Sequence, residues 1–451
     1  MDVGKHYTFS IALDVQMENN KPSRGMTTFI LVAVGQIVSV TGSSLTGFAL
    51  GAWVYEDTRS TTLFSLILLF TVLPSLLFAP LAGALVDRWD RRRVMIAADS
   101  GAAVCTGLLM VLIHFGQLEI WHIYVIMGFN SLFRALQVPA YTASVSLLVP
   151  RDQLGRANGV MQLESTSSYL LSPILAGWLL DQVGIIGVMA IDLATFLFAV
   201  SIVLAVRFPR LIVEPKDIPS RNSLWKDMAL GWQFISARSG FLGLMILFGL
   251  GNYANLMTDT LMPPMLLELS SPTILGSVIS TGGLGMLIGT VLMSTWGGAK
   301  KRIYTVLIFK TLAGLGIMAI GLFRSIPLIA LATFFYYLPF PLVNGSDQAI
   351  WQSKVPPEVQ GRVFSIRRML ARSMIPLAYI TAGPLSDKVF KPLLSVNGAL
   401  ASSLGHFFGV GPSRGMGLLI FLMGEIIVVL TLAAASDPRV RNIETELPDV
   451  V

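Results

Sequence analysis

The chain has 451 residues, 54% of them hydrophobic and 13% charged, with a mean hydropathy of +0.70. Soluble domains carry about 25% charged residues, so this composition points to an integral membrane protein and overrides the roughly three soluble domains that length suggests. A single cysteine, Cys105, excludes an internal disulfide and a cysteine-rich metal site, and four scattered histidines offer no metal-ligand spacing. The net charge of +6 belongs to loops between apolar runs, which excludes a nucleic-acid-binding face.

Residues 1–26 are polar and mixed in charge, without the apolar stretch and cleavage site of a signal peptide. They read as a cytoplasmic lead. Twelve apolar runs follow, at about 27–54, 62–86, 94–115, 120–148, 157–180, 185–206, 241–266, 274–297, 303–323, 326–350, 363–386 and 412–435. Each approaches the ~20 residues that a helix needs to cross a bilayer core. Pro139 interrupts the fourth run and Pro263-Pro264 the seventh. Proline removes a backbone donor, which a membrane helix tolerates where neighbours or water satisfy the freed groups. The polar segment 207–240, with six basic residues and Pro209, Pro215 and Pro219, separates 27–206 from 241–435, and 436–451 forms a tail. The expected fold is all-α and membrane-integral, with six spans in each half.

Charge sets the orientation. The two termini and the loops on their side carry 22 Lys and Arg, and the other side carries five, counting Arg414 at the start of the last span. Five more lie inside spans: Arg134, Lys310, Arg367, Arg368 and Arg372. Lys and Arg concentrate in cytoplasmic loops, so both termini are expected in the cytoplasm of a multi-pass inner (plasma) membrane protein. The halves also repeat. VPRDQLGR at 149–156 matches VPPEVQGR at 355–362, and the same offset of 206 pairs Gly177 with Gly383 and Asp181 with Asp387. Two duplicated, pseudo-symmetric six-helix bundles follow from this.

The loop GALVDRWDRRR at 83–93 resembles the signature of the major facilitator superfamily, through Gly83, Asp87, Arg88, Arg91 and Arg92. WGGAKKR at 296–302 is the degenerate counterpart, without the aspartate. Within that superfamily the chain is similar to the drug–proton antiporter branch that includes macrolide efflux pumps. VGQIVSVTGSSL at 34–45, VDRWDRRRVMIAAD at 86–99, LLVPRDQL at 147–154, YLLSPILAG at 169–177 and QGRVFS at 360–365 carry that likeness. GPLSDKVFKPLL at 383–394, GVGPSRG at 409–415 and PRVRNIETELPD at 438–449 resemble a sub-branch associated with non-ribosomal peptide and polyketide gene clusters. Two departures stand out. The fifth span reads Ser172-Pro173-x-x-Ala176-Gly177 where antiporters carry Gly-Pro, and Asn130 stands where relatives often carry arginine, one turn before Arg134.

The resemblance implies a major facilitator fold whose signature loop is a gate. Spans 2 and 11 meet at the cytoplasmic side, and span 11 begins near Gly361 and Arg362. A helix N-terminus carries about half a positive charge, so Asp87 placed there would latch the cytoplasmic side with the loop arginines, and Asp99 would partner those arginines. Spans 1, 4, 7 and 10 would line the cavity. That ranks Asp347, Glu164, Asp259 and Arg134 as proton-coupling candidates, since intramembrane charges are costly and functional by default. Asp192, Lys310 and Glu425 read as packing or snorkelling residues. Pro173, Gly177 and Gly383 read as bend and packing positions, and Phe48, Trp53, Tyr336, Tyr337 and Phe340 as an aromatic lining suited to a bulky amphipathic small molecule. The loop 389–411 is expected to be an interfacial helix or a cap.

No G-x-x-x-x-G-K-[ST] phosphate loop and no catalytic triad occur, so an enzyme is not expected. The chain would use no cofactor, draw on the proton gradient, and work as a monomer in the lipid bilayer without a nucleic-acid partner. The expected function is secondary active efflux. A proton-coupled importer of a small solute and an uncoupled flippase are the alternatives.

Overall fold

The computed structural model describes residues 22–150, 153–206 and 221–446; most of the N-terminal lead, part of the linker and the end of the tail lie outside it. All regular structure among the described residues is helical. The first half contains α1 (Pro22–Thr58), α2 (Thr61–Arg88), α3 (Arg91–His114), α4 (Ile120–Leu148), α5 (Leu154–Leu170) and α6 (Ser172–Ala205). A linker helix, α7 (Arg221–Ser236), precedes α8 (Ser239–Leu267), α9 (Pro272–Trp296), α10 (Arg302–Leu322), α11 (Ile326–Tyr337), α12 (Pro339–Lys354), α13 (Pro357–Leu385) and α14 (Pro412–Ser436). Nine helices among the described residues are long and apolar enough to cross a membrane.

Twelve spans emerge from these helices once two interruptions are recognised. At Gly184 the backbone takes φ 67°, a left-handed conformation that glycine adopts without a Cβ clash. There the chain reverses, so α6 holds the end of the fifth span and all of the sixth. The tenth span is broken between α11 and α12, where Pro339 starts a new helix. Local signals set other ends. Ser60 caps α2 by accepting the Leu63 amide, Asp90 caps α3 by accepting the Arg93 amide, and the left-handed Gly297 ends α9.

In the first half α1 packs on α6, α2 and α3 pack on α4, and α3 packs on α6; in the second α14 packs on α8 and α10, and α9 on α11. The halves meet where α2 lies against α13 and where α5 and α6 lie against α9. By the repeat these are equivalent contacts, spans 2 with 11 and 5 with 8. The largest buried cluster bridges them, bringing Ala52, Tyr55 and Phe64 against Met257, Leu261, Ile317 and Ile420.

The connections are structured where they are described. In the linker, α7 packs Gly231 against the Arg362 carbonyl and Ile366 of α13, and buries Ile235. The segment 389–411 is a cap, with Leu394 and Phe408 buried against Leu418 beside Phe421 and Leu322. The described part of the tail is docked, since Val440 and Ile443 are buried and Glu444 accepts the Ile303 amide at 2.9 Å.

Candidate functional site

One end of the molecule carries the 83–93 and 297–302 loops and is called the basic end here. At the opposite end the halves are tied together. Asp387, just past α13, accepts from the Thr62 amide (2.8 Å), the Thr62 hydroxyl (2.8 Å), the Thr61 amide (3.2 Å) and the Ser60 hydroxyl (3.0 Å), all at the start of α2. Lys391 sits 2.8 Å from the same carboxylate. Burial alone would raise its pKa. The Lys391 ammonium and the Thr62 amide and hydroxyl outweigh burial and hold it down at about 2. The repeat reproduces the arrangement: Asp181 accepts from the Thr273 hydroxyl at the start of α9. Each aspartate is preceded by a glycine on which the facing helix rests. A Cβ on Gly383 would lie 2.3 Å from the Thr62 Cα, and one on Gly177 2.3 Å from the Pro272 carbonyl oxygen. Pro173 joins this contact, its carbonyl facing Gly276. Tyr55, at the end of α1, donates to Glu268 at the end of α8 (2.9 Å), and Arg59 lies 3.8 Å from that carboxylate.

The basic end differs. Asp87 and Arg88 are exposed, and among the described residues neither makes a hydrogen bond or ion pair. An added Cβ on Gly83 or Gly361 would meet nothing within 4 Å. The expected Asp87 latch on the start of α13 is therefore not engaged in this structure, because α2 and α13 meet at the far end and separate here. Arg91 and Arg92 do not reach α13 in this structure either. Arg91 donates to the Ala143 carbonyl near the end of α4 (2.8 Å), and Arg92 to the Val203 carbonyl at the end of α6 (2.9 Å). The α6 C-terminus leaves the Val203 carbonyl without an intrahelical partner, and together these two arginines staple α3 to α4 and α6 within one half. Asp99 also departs from expectation. Two turns into α3, it is buried and accepts from the carboxamides of Gln36 and Gln137 on α1 and α4, not from the loop arginines.

A cavity of about 400 Å³ opens among α8, α12 and α13 in the basic-end portion of the second half. Asp347 and Arg367 form an ion pair within it, and the Trp351 indole N–H donates to Asp347 at 3.0 Å. The Arg367 guanidinium lies over the Trp351 and Phe364 rings. Of the two readings of Lys310 on α10, packing or snorkelling, the structure shows packing: it is 5% exposed, with its ammonium 4.3 Å from the Phe248 ring centre and close to Gly251. Arg368, also in the lining, is exposed.

The remaining candidates are dispersed. Asp259 accepts from both Tyr336 (3.0 Å) and Tyr337 (2.9 Å), so these tyrosines hold a carboxylate as well as presenting rings. Arg134 is exposed in mid-span, although Met127, Ser131 and Tyr141 on its helix face are largely buried. That face points into the bundle, so Arg134 looks into open space between the halves. The Glu164 side chain lies outside the described residues. Phe48 packs on the cluster between the halves, and Phe340 is exposed one turn from Asn344 on the cavity face of α12. Trp53 is a correction: it packs with Leu50, Val54 and Ile123 inside the first half, because its side of α1 faces the neighbouring helices. Asp192, read as packing or snorkelling, is a packing residue: it is buried and accepts from Thr106 at 3.2 Å.

Sequence comparison decides the family. Residues 32–379 match the profile described as Major Facilitator Superfamily. The chain belongs to that superfamily. It is thus a multi-pass membrane transport protein and not an enzyme. It is 26% identical over 371 residues to macrolide efflux protein A of Streptococcus pyogenes, covering 80% of this chain and 90% of that protein. It is also 26% identical over 392 residues to the multidrug efflux pump Tap of Mycolicibacterium fortuitum, covering 82% and 91%. Among solved structures it resembles an inward-facing, unoccupied bacterial homologue of the human lysosomal transporter Spinster, with a TM-score of 0.68, 12% identity and coverage of 95% and 99%. The nucleoside transporter NupG is similar at a TM-score of 0.65 and 13% identity, covering 90% and 98%. These structural likenesses establish the major facilitator fold.

Proposed function

We propose that the chain is a secondary active exporter of the inner (plasma) membrane. It expels an amphipathic drug or natural product, macrolide-, peptide- or polyketide-like, in exchange for protons. The observation that carries this reading is likeness to efflux pumps over about four-fifths of the chain. The charge bias places both termini and the basic end in the cytoplasm. On that orientation the structure is inward-facing, with its outer gate closed.

Alternating access then has two gates. The outer gate consists of Asp387 and Asp181 with their glycines. The inner gate is the signature loop. Asp87 lies 25 residues from Thr62, about seven turns, on the α2 face that touches α13 at the outer end. Closing the cytoplasmic side brings it towards Gly361 and Arg362, and the space around Gly83 and Gly361 permits the approach. Coupling is assigned to Asp347. Protonation removes the charge that holds Arg367, freeing α13 to move relative to α12. Glu164 and then Asp259, which is held by two tyrosines, are the alternative protonation sites.

The test is accumulation of a labelled macrolide and a labelled lipopeptide in a pump-deficient host, with and without a protonophore. Export coupled to the gradient lowers accumulation of at least one, and the protonophore restores it. Raised accumulation would identify an importer. A protonophore-insensitive decrease would identify an uncoupled flippase.

A further inference from the structure

The cavity in the second half has an uneven charge balance. Among the described residues, Asp347 is the single carboxylate in its lining, and it is paired with Arg367. Arg368 lines the same space and, among the described residues, makes no hydrogen bond or ion pair. Lys310 lies behind Phe248, a lining residue, and among the described residues has no carboxylate at salt-bridge distance. Two cations are thus left without a matched anion around one cavity.

The excess continues outside the pocket. Arg372 follows Arg368 by four residues, on the same face of α13. Arg368 lies 18 residues, about five turns, before Ser386, which meets Thr61 of α2. This face of α13 therefore looks towards the first half, across the gap that opens at the basic end. Arg134 enters the space between the halves from α4, and among the described residues it and Arg372 also lack hydrogen-bond and ion-pair partners. Arg368 begins about 16 Å along its helix, at membrane depth. Intramembrane arginines are costly unless they are paired or line a water-filled pathway, and several along one pathway mark what passes through it.

We infer that this cavity binds the anionic group of an acidic amphiphile, such as a carboxylate-bearing lipopeptide or polyketide. The guanidinium of Arg368 presents a planar donor fork suited to a carboxylate, and Lys310 adds positive potential from behind. Asn252, Asn344 and Gln348 supply neutral hydrogen-bonding groups, and Phe248, Trp351 and Phe364 supply apolar faces for the adjoining scaffold. A cationic ligand would gain only from Asp347, in competition with Arg367. Export supplies the direction of movement in this inference, but the binding preference can be measured without transport.

The experiment uses purified full-length protein in nanodiscs and three dansyl-labelled N-acyl dipeptides. They differ only at the C-terminus: free carboxylate, neutral methyl amide and cationic aminoethyl amide. Fluorescence titration is expected to give the carboxylate about tenfold tighter binding than the amide, weakening with salt. R368Q is expected to remove most of that advantage while leaving amide affinity unchanged, and R368K to restore part of it. Arg368 is exposed, so an unaltered melting temperature separates lost binding from misfolding. Equal affinity for the three probes, preference for the cation, no measurable carboxylate binding, or an equal loss for acid and amide in R368Q would overturn the inference. Carboxylate preference without efflux in cells would leave it standing and refute the export reading. Efflux that favours the cationic probe would do the reverse.

Discussion

Substituting Asp387 by asparagine keeps the side-chain shape and one acceptor oxygen while removing the charge. The carboxylate accepts from two amides and two hydroxyls at the start of α2 and pairs with Lys391. Lowering its pKa from 3.8 to about 2 corresponds to about 2.5 kcal/mol favouring the charged form. Partial access to water reduces this to about 1–2 kcal/mol. If opening the outer gate breaks all these contacts, D387N raises the ratio of outer-open to outer-closed molecules about 5- to 30-fold. The sign with pH follows from the lowered pKa. The carboxylate contributes fully above about pH 4, and its contribution is lost as pH falls towards 2. Between pH 5 and 8 the wild-type gate should therefore not titrate through this group. Spin labels at Gln117 and Ser395, in a Cys105→Ser background in nanodiscs, would report outer-end separation by pulsed dipolar spectroscopy. A longer-distance population should grow in D387N at pH 7. An unchanged distribution would refute the assignment of Asp387 to the gate.

Other predictions concern single positions. G383V and G177V should prevent close outer packing, since even a Cβ would fall 2.3 Å from facing backbone; both should abolish transport and lower the melting temperature of the outer-closed form. G83L should leave that melting temperature unchanged, because the position faces open space here, yet slow transport at least tenfold, as inner closure needs that space. Normal turnover by G83L would remove the inner-gate assignment. D347N should abolish uphill efflux while leaving downhill exchange, measured with and without a pH gradient; persistent uphill efflux would move coupling to another carboxylate. Q137L should strand Asp99 with one donor fewer and cost about 1–3 kcal/mol of stability, read as a lower thermal midpoint, with Asp99→Asn relieving it.

Much of this architecture is legible from pattern alone. Apolar runs reveal the spans, and the 206-residue offset already pairs Gly177 with Gly383 and Asp181 with Asp387. What those residues grip was missed, although a second offset holds the signal: Ser60-Thr61-Thr62 and Ser271-Pro272-Thr273 begin equivalent helices. The roles of Arg91 and Arg92 were hidden because carbonyl acceptors on α4 and α6 come within reach only when three helix ends converge. Lys310 was left open between packing and snorkelling, because an outer span can still turn one charged face inward. The cost of burying its charge was the available clue to a partner such as the Phe248 ring. The Asp87 latch is a property of another conformation, which one structure with its basic end open does not display.

The central claim is proton-coupled export, and its most direct measurement is proton movement in proteoliposomes. The protein would be reconstituted with a pH-sensitive dye sealed inside, and the substrate identified by accumulation would be added outside without an imposed pH gradient. Antiport predicts that substrate entry drives protons out, so the lumen becomes alkaline, and that D347N abolishes the signal while still binding substrate. Luminal acidification on substrate entry, or substrate flux with no proton movement in either protein, would contradict the account.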